Sequence, residues 1–246
     1  MLADGKFYGA CLTIVQRALK RRGYKKIVAK GYFGSHTRDA IKDIQRRAGL
    51  AQTGNIGRKV WTILDGVYLN DTDSRAINKY VAAKRAAEER AAAAKARANV
   101  VGRIINAGMI MIAHRDVIHY TQSGWRMQGV RGRIHLPSYP TWEDCSSAVT
   151  WLYWQAGAPD PNGLSYNGQG FTGTLAAHGW HVSVSDAMPG DLVFYGWAPT
   201  FSHVGCVMAG HGYSARIFSH GSERGPLYVS IGYRSIGSVR RYDLVK

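Results

Sequence analysis

Residues 145–156, CSSAVTWLYWQA, hold no charged side chain and are closed by Gly157-Ala158-Pro159. A run of this kind, stopped by glycine and proline, predicts an apolar helix that ends there. Beyond it the pattern changes. DLVFYGW (191–197), HVGCVMA (203–209), YSARIFSH (213–220), PLYVSIGY (226–233) and SVRRYDLV (238–245) read as short strands separated by turn residues. A helix followed by successive strands predicts an α+β domain with helices packed on an antiparallel sheet. Before the helix, VVGRIINAGMIMI (100–112) predicts another helix of the same domain, and Pro137 and Pro140 bracket a loop leading to Trp142. After it, PNGLSYNGQG (161–170) reads as a loop too long and polar to be core.

Further out, the N-terminal part has another character. Residues 11–22 put Ile14 or Val15, Ala18 and Leu19 on one helical face, and Gly23 stops that helix. Ser35 reads as the N-cap of a second helix, His36 to Arg47, with Ala40, Ile41 and Ile44 apolar. A third short helix carries Trp61 and Leu64. Together these predict a small three-helix bundle. KYVAAKRAAEERAAAAKARA (79–98) has no glycine or proline and is rich in strong helix formers, so it reads as a helical basic linker, some 30 Å long at about 1.5 Å per residue. The expected division is 1–70, 71–99 and 100–246.

The formal charge is +16, and residues 1–70 account for +10 of it, with 14 Lys/Arg against 4 Asp/Glu. A small domain so basic implies a polyanionic partner, either a bacterial wall surface or nucleic acid. No apolar run is long enough to span a membrane, so no membrane insertion is expected. The opening MLADGKFYGACLTIVQ lacks a basic start, an unbroken apolar stretch and a small-residue cleavage site, so it does not read as a signal peptide.

Cys11, Cys145 and Cys206 are widely spaced and form no CxxC pair, which argues against a disulfide scaffold or a common zinc site. Cys145 stands where a loop becomes a helix, in Asp144-Cys145-Ser146-Ser147. There unpaired amides and the helix dipole favour a thiolate, and a first-turn amide can face an oxyanion. Alone, such a cysteine is more often a buried inert thiol. Its company changes the reading. If the strands at 203–209 and 213–220 form a hairpin about His211-Gly212, His203 lies directly opposite His220, both on one face, as a base and the group that orients it. The rival is metal. His203 and Cys206 point to opposite faces of a strand, and His178 and His181 have no clustered carboxylate, so no metal or other cofactor is expected.

Three resemblances bear on function. Val15-Gln16, Leu19, Gly23-Tyr24, Gly31-Tyr32-Phe33-Gly34, Thr37, Ala40-Ile41, Gln45, Gly49-Leu50, Gly54, Gly57 and Trp61 resemble the small peptidoglycan-binding domain of wall hydrolases. That likeness implies wall contacts at Tyr32, Phe33 and Trp61. Asp144-Cys145-Ser146, Pro189-Gly190-Asp191-Leu192, His203-Val204-Gly205 and a polar residue one strand later resemble the NlpC-type, papain-like cysteine peptidases. This implies Cys145 as nucleophile, His203 as general base and His220 as its orienter. Asp144, Ser146 and an upstream tyrosine, Tyr120 before Tyr139, would hold the stem peptide. Ser147 departs from that family's glycine. The whole is similar to phage endolysins of the mycobacteriophage lysin A type, also through GAPDPNGLSYNGQGFTGTL. The resemblance implies a peptidoglycan hydrolase, expected as a monomer, made in the host cytoplasm and released through holin pores. It would cut the stem peptide between D-glutamate or D-isoglutamine and meso-diaminopimelate through a thioester. The alternatives are an N-acetylmuramoyl-L-alanine amidase with the same residues, or a nonenzymatic wall- or nucleic-acid-binding protein.

Overall fold

The computed structural model describes residues 10–64 and 71–245. The chain divides into two compact units, Met1–Ala91 and Ala92–Lys246. The first contains α1 (Ala10–Arg21), α2 (Ser35–Arg47) and α3 (Arg58–Leu64). Their apolar faces meet in a core of Leu12, Val15, Ala18, Leu19, Ile41, Ile44, Val60 and Leu64. Two buried glutamines fix the intervening loops. Gln16 accepts from Gly31 N–H and donates to Tyr32 O and Thr37 Oγ1. Gln45 does the same for the second loop, accepting from Gly54 N–H and donating to Thr53 Oγ1 and Asn55 O. The α2 cap differs from expectation. Gly34 takes the N-cap position with extended backbone and no side-chain bond, and Ser35 is the first helical residue.

Helix α4 runs without interruption from Asp71 to Ala113, so the expected linker helix and the helix expected at 100–112 are one element. Its C-terminal Val100, Ile104, Ala107 and Met111 enter the core of the second unit. There follow β1 (His119–Tyr120), α5 (Gln128–Arg131), β2 (Trp142–Glu143), α6 (Cys145–Gln155) and α7 (Thr172–Ala177). The strands β3 (Trp180–Val182), β4 (Leu192–Tyr195), β5 (His203–Ala209), β6 (Arg216–Ser219), β7 (Leu227–Ser230) and β8 (Ile236–Arg241) complete it. The fold of this unit is α+β. A two-stranded parallel pair joins β1 to β2, and a six-stranded antiparallel sheet runs in the order β3-β8-β4-β5-β6-β7.

Every residue of α6 from Cys145 to Tyr153 is buried, which is why the run needs no charge. One face of the sheet (Leu192, Phe194, Val204, Cys206, Phe218) joins α6 in the main core, and the other (Val193, Tyr195, Val207, Ile217, Val239) forms a second cluster. The polar run 161–170 is not merely loop. Asn162 is fully buried, donates to Thr150 Oγ1 and accepts from Thr174 Oγ1, tying α6 to α7. Asp160 holds the same segment by accepting from the N–H groups of Asn162, Leu164 and Tyr166.

The β5–β6 register corrects the expected pairing of His203 with His220. Gly205 pairs with Ser219 and Cys206 with Phe218, and the register shifts between Val207 and Ala209. The connection is a 3-10 turn at Gly212–Ser214 rather than a tight turn at His211-Gly212. Continued by one pair, this register sets Val204, not His203, opposite His220, so the two histidines face opposite sides of the sheet.

Asp191, just ahead of β4, is fully buried. Its oxygens accept from Arg241 Nε and Nη2 at 2.9 and 2.8 Å and from Met188 N–H at 2.9 Å. Removing one partner of a buried pair costs about 3–5 kcal/mol, because the other charge stays desolvated. Asp191→Ala is therefore expected to lower stability by about that much, read as a shift in urea midpoint of the second unit's transition with its slope unchanged. A loss below about 1 kcal/mol would place the pair among ordinary surface bridges.

Candidate active site

Asp144 adopts the extended conformation of an N-cap and makes Cys145 the first residue of α6. Asp144 Oδ1 accepts from Ser147 N–H at 2.7 Å, and Ser147 Oγ accepts from Asp144 N–H at 2.8 Å, a reciprocal capping box. The serine where the resemblance calls for glycine thus has a structural task. Ser146 Oγ donates to Asp144 Oδ1, and Arg126 reaches both residues while donating to Gly170 O.

The Cys145 thiol is 6 % exposed, and its side-chain contact is Thr172 Oγ1 at 3.8 Å. Burial, then the Asp144 carboxylate, push the thiol above its ordinary value. The N–H groups of Val204 and Ser146 and the Thr172 hydroxyl pull the other way. Burial outweighs the helix start here, so the resting sulfur is a neutral thiol. The influence of Val204 N–H on this sulfur sets the first turn of α6 beside the start of β5, at the residue next to His203.

His203 is 2 % exposed, and its Nε2 lies 2.9 Å from Ser219 Oγ, which is 2.7 Å from Tyr233 Oη. Gly205 is what permits the diagonal. It stands opposite Ser219 without a side chain, and a Cβ there would come 2.6 Å from Ile217 Cδ1 and 2.8 Å from Phe218 O. The rings of Tyr195 and Tyr233 flank the imidazole at 5.8 and 6.3 Å. Burial first, then the Arg234 charge, lower its pKa to about 4. His203 is therefore neutral at neutral pH, with Nδ1 not engaged by Ser219. It makes no hydrogen bond to Cys145: its ring lies with Tyr195 on the sheet face away from α6, at the end of β5 that meets the α6 start.

His220 is fully buried on the other face, edge-on to Tyr120 at 5.8 Å; burial lowers its pKa, against the His119 and Gly225 carbonyls close to its ring. Ser219 holds the place beside His203 that the expected hairpin gave to His220. Tyr120 accepts from Gln122 Nε2, and burial and the nearby Cys145 charge raise its pKa. Tyr139 instead stacks on His114 at 4.4 Å. Glu143 is fully buried, and burial holds its pKa well above the carboxylate range against the Ser147 hydroxyl, the Arg126 charge and the Gly129 N–H. Arg126, Thr172, Ser219 and Tyr233 carried no signal in the sequence beyond their polarity. Cys206 is a fully buried strand residue whose thiol burial pushes strongly up. Among the described residues, no group of three or more His, Cys, Asp or Glu side chains could hold a metal ion.

In the N-terminal bundle Tyr32 is 79 % exposed, Phe33 lies half-buried beneath the Arg38 guanidinium at 5.8 Å, and Trp61 packs half-buried on the core. A groove of about 310 Å³ lies elsewhere, along Tyr24–Ile27 and His36, Asp39 and Ala40. Lys25 and Lys26 give it positive charge.

Residues 9–64 match the family model PG_binding_1, described as "Putative peptidoglycan binding domain". Among solved structures the chain is similar to the NlpC/p60 domain of the peptidoglycan hydrolase SagA. The identity is 18%, the coverage 58% of this chain and 98% of that one, and the TM-score 0.41. The curated proteins contain no match to this chain.

A pH dependence follows from His203. Its folded value of about 4 lies below the ordinary histidine value of 6.5. The neutral ring therefore stabilises the fold fully above about pH 6.5, and that stabilisation is lost as pH falls toward 4. Any reaction using this ring as a base is expected to keep its kcat/KM down to about pH 5. An acid limb centred near 6.5 in a pH–rate profile would remove His203 from that role.

Proposed function

We propose that this chain is a peptidoglycan hydrolase that cuts the stem peptide by cysteine nucleophilic catalysis. The observation that carries the reading is the meeting of the α6 start and the β5 start: Cys145 Sγ against Val204 N–H, with the adjacent His203 locked through Nε2 on Ser219. The family match over residues 9–64 and the basic N-terminal charge support the wall as target.

In the reaction, Cys145 Sγ attacks the amide carbonyl as its proton passes to His203 Nδ1. The α6 amides ahead of Ser147, whose N–H is taken by Asp144, face the developing oxyanion. His203 returns the proton to the leaving amine, giving an acyl thioester and a free amine. It then deprotonates water, whose attack releases the carboxylic acid and restores the thiol. Ser219, held by Tyr233, positions the imidazole. Tyr120, Asp144 and Ser146 border the nucleophile where stem-peptide groups would sit, although Asp144 and Ser146 already bond each other and Arg126.

The finer reading follows the resemblance. The bond is that between D-glutamate or D-isoglutamine and meso-diaminopimelate, and the protein is a monomeric endolysin delivered through holin pores. A muramoyl-L-alanine amidase would use the same residues. A second reading of the base has one observation in its favour: continued by one pair, the β5–β6 register puts His220 on the sheet face that packs against α6.

Cys145→Ser is expected to abolish release of wall fragments from purified peptidoglycan, while Cys206→Ser retains it. His203→Ala should cost nearly as much as losing Cys145, roughly 10²-fold or more as for other general bases. His220→Asn should cost far less. Mass spectrometry of the fragments identifies the bond, and the reverse ranking of the histidine variants hands the base role to His220.

Wall binding is checked with the full chain carrying Cys145→Ala, pelleted with purified walls in the presence of excess double-stranded DNA. Walls should retain it at matched salt. The part of the affinity due to exposed lysines and arginines should weaken as salt rises, since screening acts over about 8 Å at physiological ionic strength. Tighter binding to DNA would make the basic bundle a nucleic-acid module.

A further inference from the structure

A cleft of about 410 Å³ lies between α7, the Ala198–Phe201 connection and β8. Ser238 and Arg240 line it from alternate positions of β8, so they share a face of the sheet. His181 stands opposite Arg240 on β3 and lines the same cleft. Ser238 is 7 % exposed, and its Oγ and the Arg240 Nε are both buried without a partner. Two unsatisfied donors side by side are uncommon in a folded interior, because each forfeits its water without replacement. None of the lining residues carries a carboxylate, and Ala176, Ala177, Pro199 and Phe201 supply apolar walls. The cleft is therefore shaped for a short aliphatic group ending in an anion.

Its place in the fold gives the anion a context. Gly173 on the cleft wall follows Thr172, whose hydroxyl touches Cys145 Sγ at 3.8 Å. Phe201 on the opposite wall comes two residues before His203. The cleft is thus walled by the chain segments that carry Thr172, in contact with Cys145, and His203. We propose that it is a subsite for a carboxylate borne by the stem-peptide residue that flanks the scissile amide. Arg240 Nε and Ser238 Oγ donate to that carboxylate, and His181 stands at the mouth. The inference rests on Cys145 acting on a stem peptide, and it assigns specificity rather than chemistry.

The test uses two soluble muropeptides that differ only in that the free carboxylates beside the scissile bond are amidated in one. With the full chain carrying Cys145→Ala, calorimetry should show the free-carboxylate peptide binding about 10- to 100-fold more tightly, the range for a charge-assisted hydrogen bond. Arg240→Gln in that background should remove most of this ratio, and Ser238→Ala part of it. Arg240→Lys, which keeps the charge without the Nε donor, should recover some, and its thermal midpoint guards against a variant that fails to fold. Equal binding of the two peptides by the Cys145→Ala chain overturns the subsite, and so does a ratio that survives Arg240→Gln. Failure of the hydrolase reading looks different: the chain with Cys145 intact cuts neither peptide while the binding ratio persists and still depends on Arg240, which leaves the carboxylate site standing.

Discussion

The carboxylate of Asp144 is the constraint from which the candidate site of the second unit is built. It closes the N-terminus of α6 through Ser147, engages Ser146, and takes part of the Arg126 guanidinium, which itself reaches Gly170 O. A helix could otherwise begin a residue early or late at little cost. Here the cap sets Cys145 as the first helical position, and burial of the next eight residues prevents α6 from sliding or turning. Cys145 thus owes its position to backbone geometry and packing together.

The electrostatics of the site follow from the same burial. Cys145 is pushed up, His203 down and Glu143 well up, each chiefly by loss of water. The direction in every case favours the uncharged form, so the resting centre is a neutral thiol and a neutral imidazole rather than an ion pair. In the proposed reaction, charge would develop only on attack by sulfur, close to the first amides of α6. The preformed thiolate expected from the helix dipole does not arise, because the surrounding protein removes more water than the helix start can replace.

Much of the architecture was legible because period and composition are local properties. The apolar positions of α1 and α2, the chargeless run of α6 and the apolar stretches of β4 and β5 each announce an element without reference to the rest. The short pieces gave no such signal. β1, β2 and β3 hold two or three residues each, too few for an alternation to show. The Asn162 segment looked like solvent loop because its polarity is satisfied by Thr150 and Thr174, residues distant in sequence. Cys145 and His203 could be picked out by type and setting. Ser219 could not, because its selection over His220 depends on a one-residue register that no local pattern specifies.

That register has a consequence for how the protein tolerates change. The irregularity between Val207 and Ala209 and the turn at Gly212–Ser214 together determine which of two adjacent side chains on β6 meets His203. A one-residue shift of this hairpin would put the His220 imidazole or the Phe218 ring, according to its direction, where the Ser219 hydroxyl meets His203. A shift by two would keep every side chain on its face yet still take Ser219 from His203. The connection between β5 and β6, though it touches neither side chain, is therefore sensitive to its length. A survey of substitutions alone would miss this, and an engineer grafting loops onto the scaffold would meet it first.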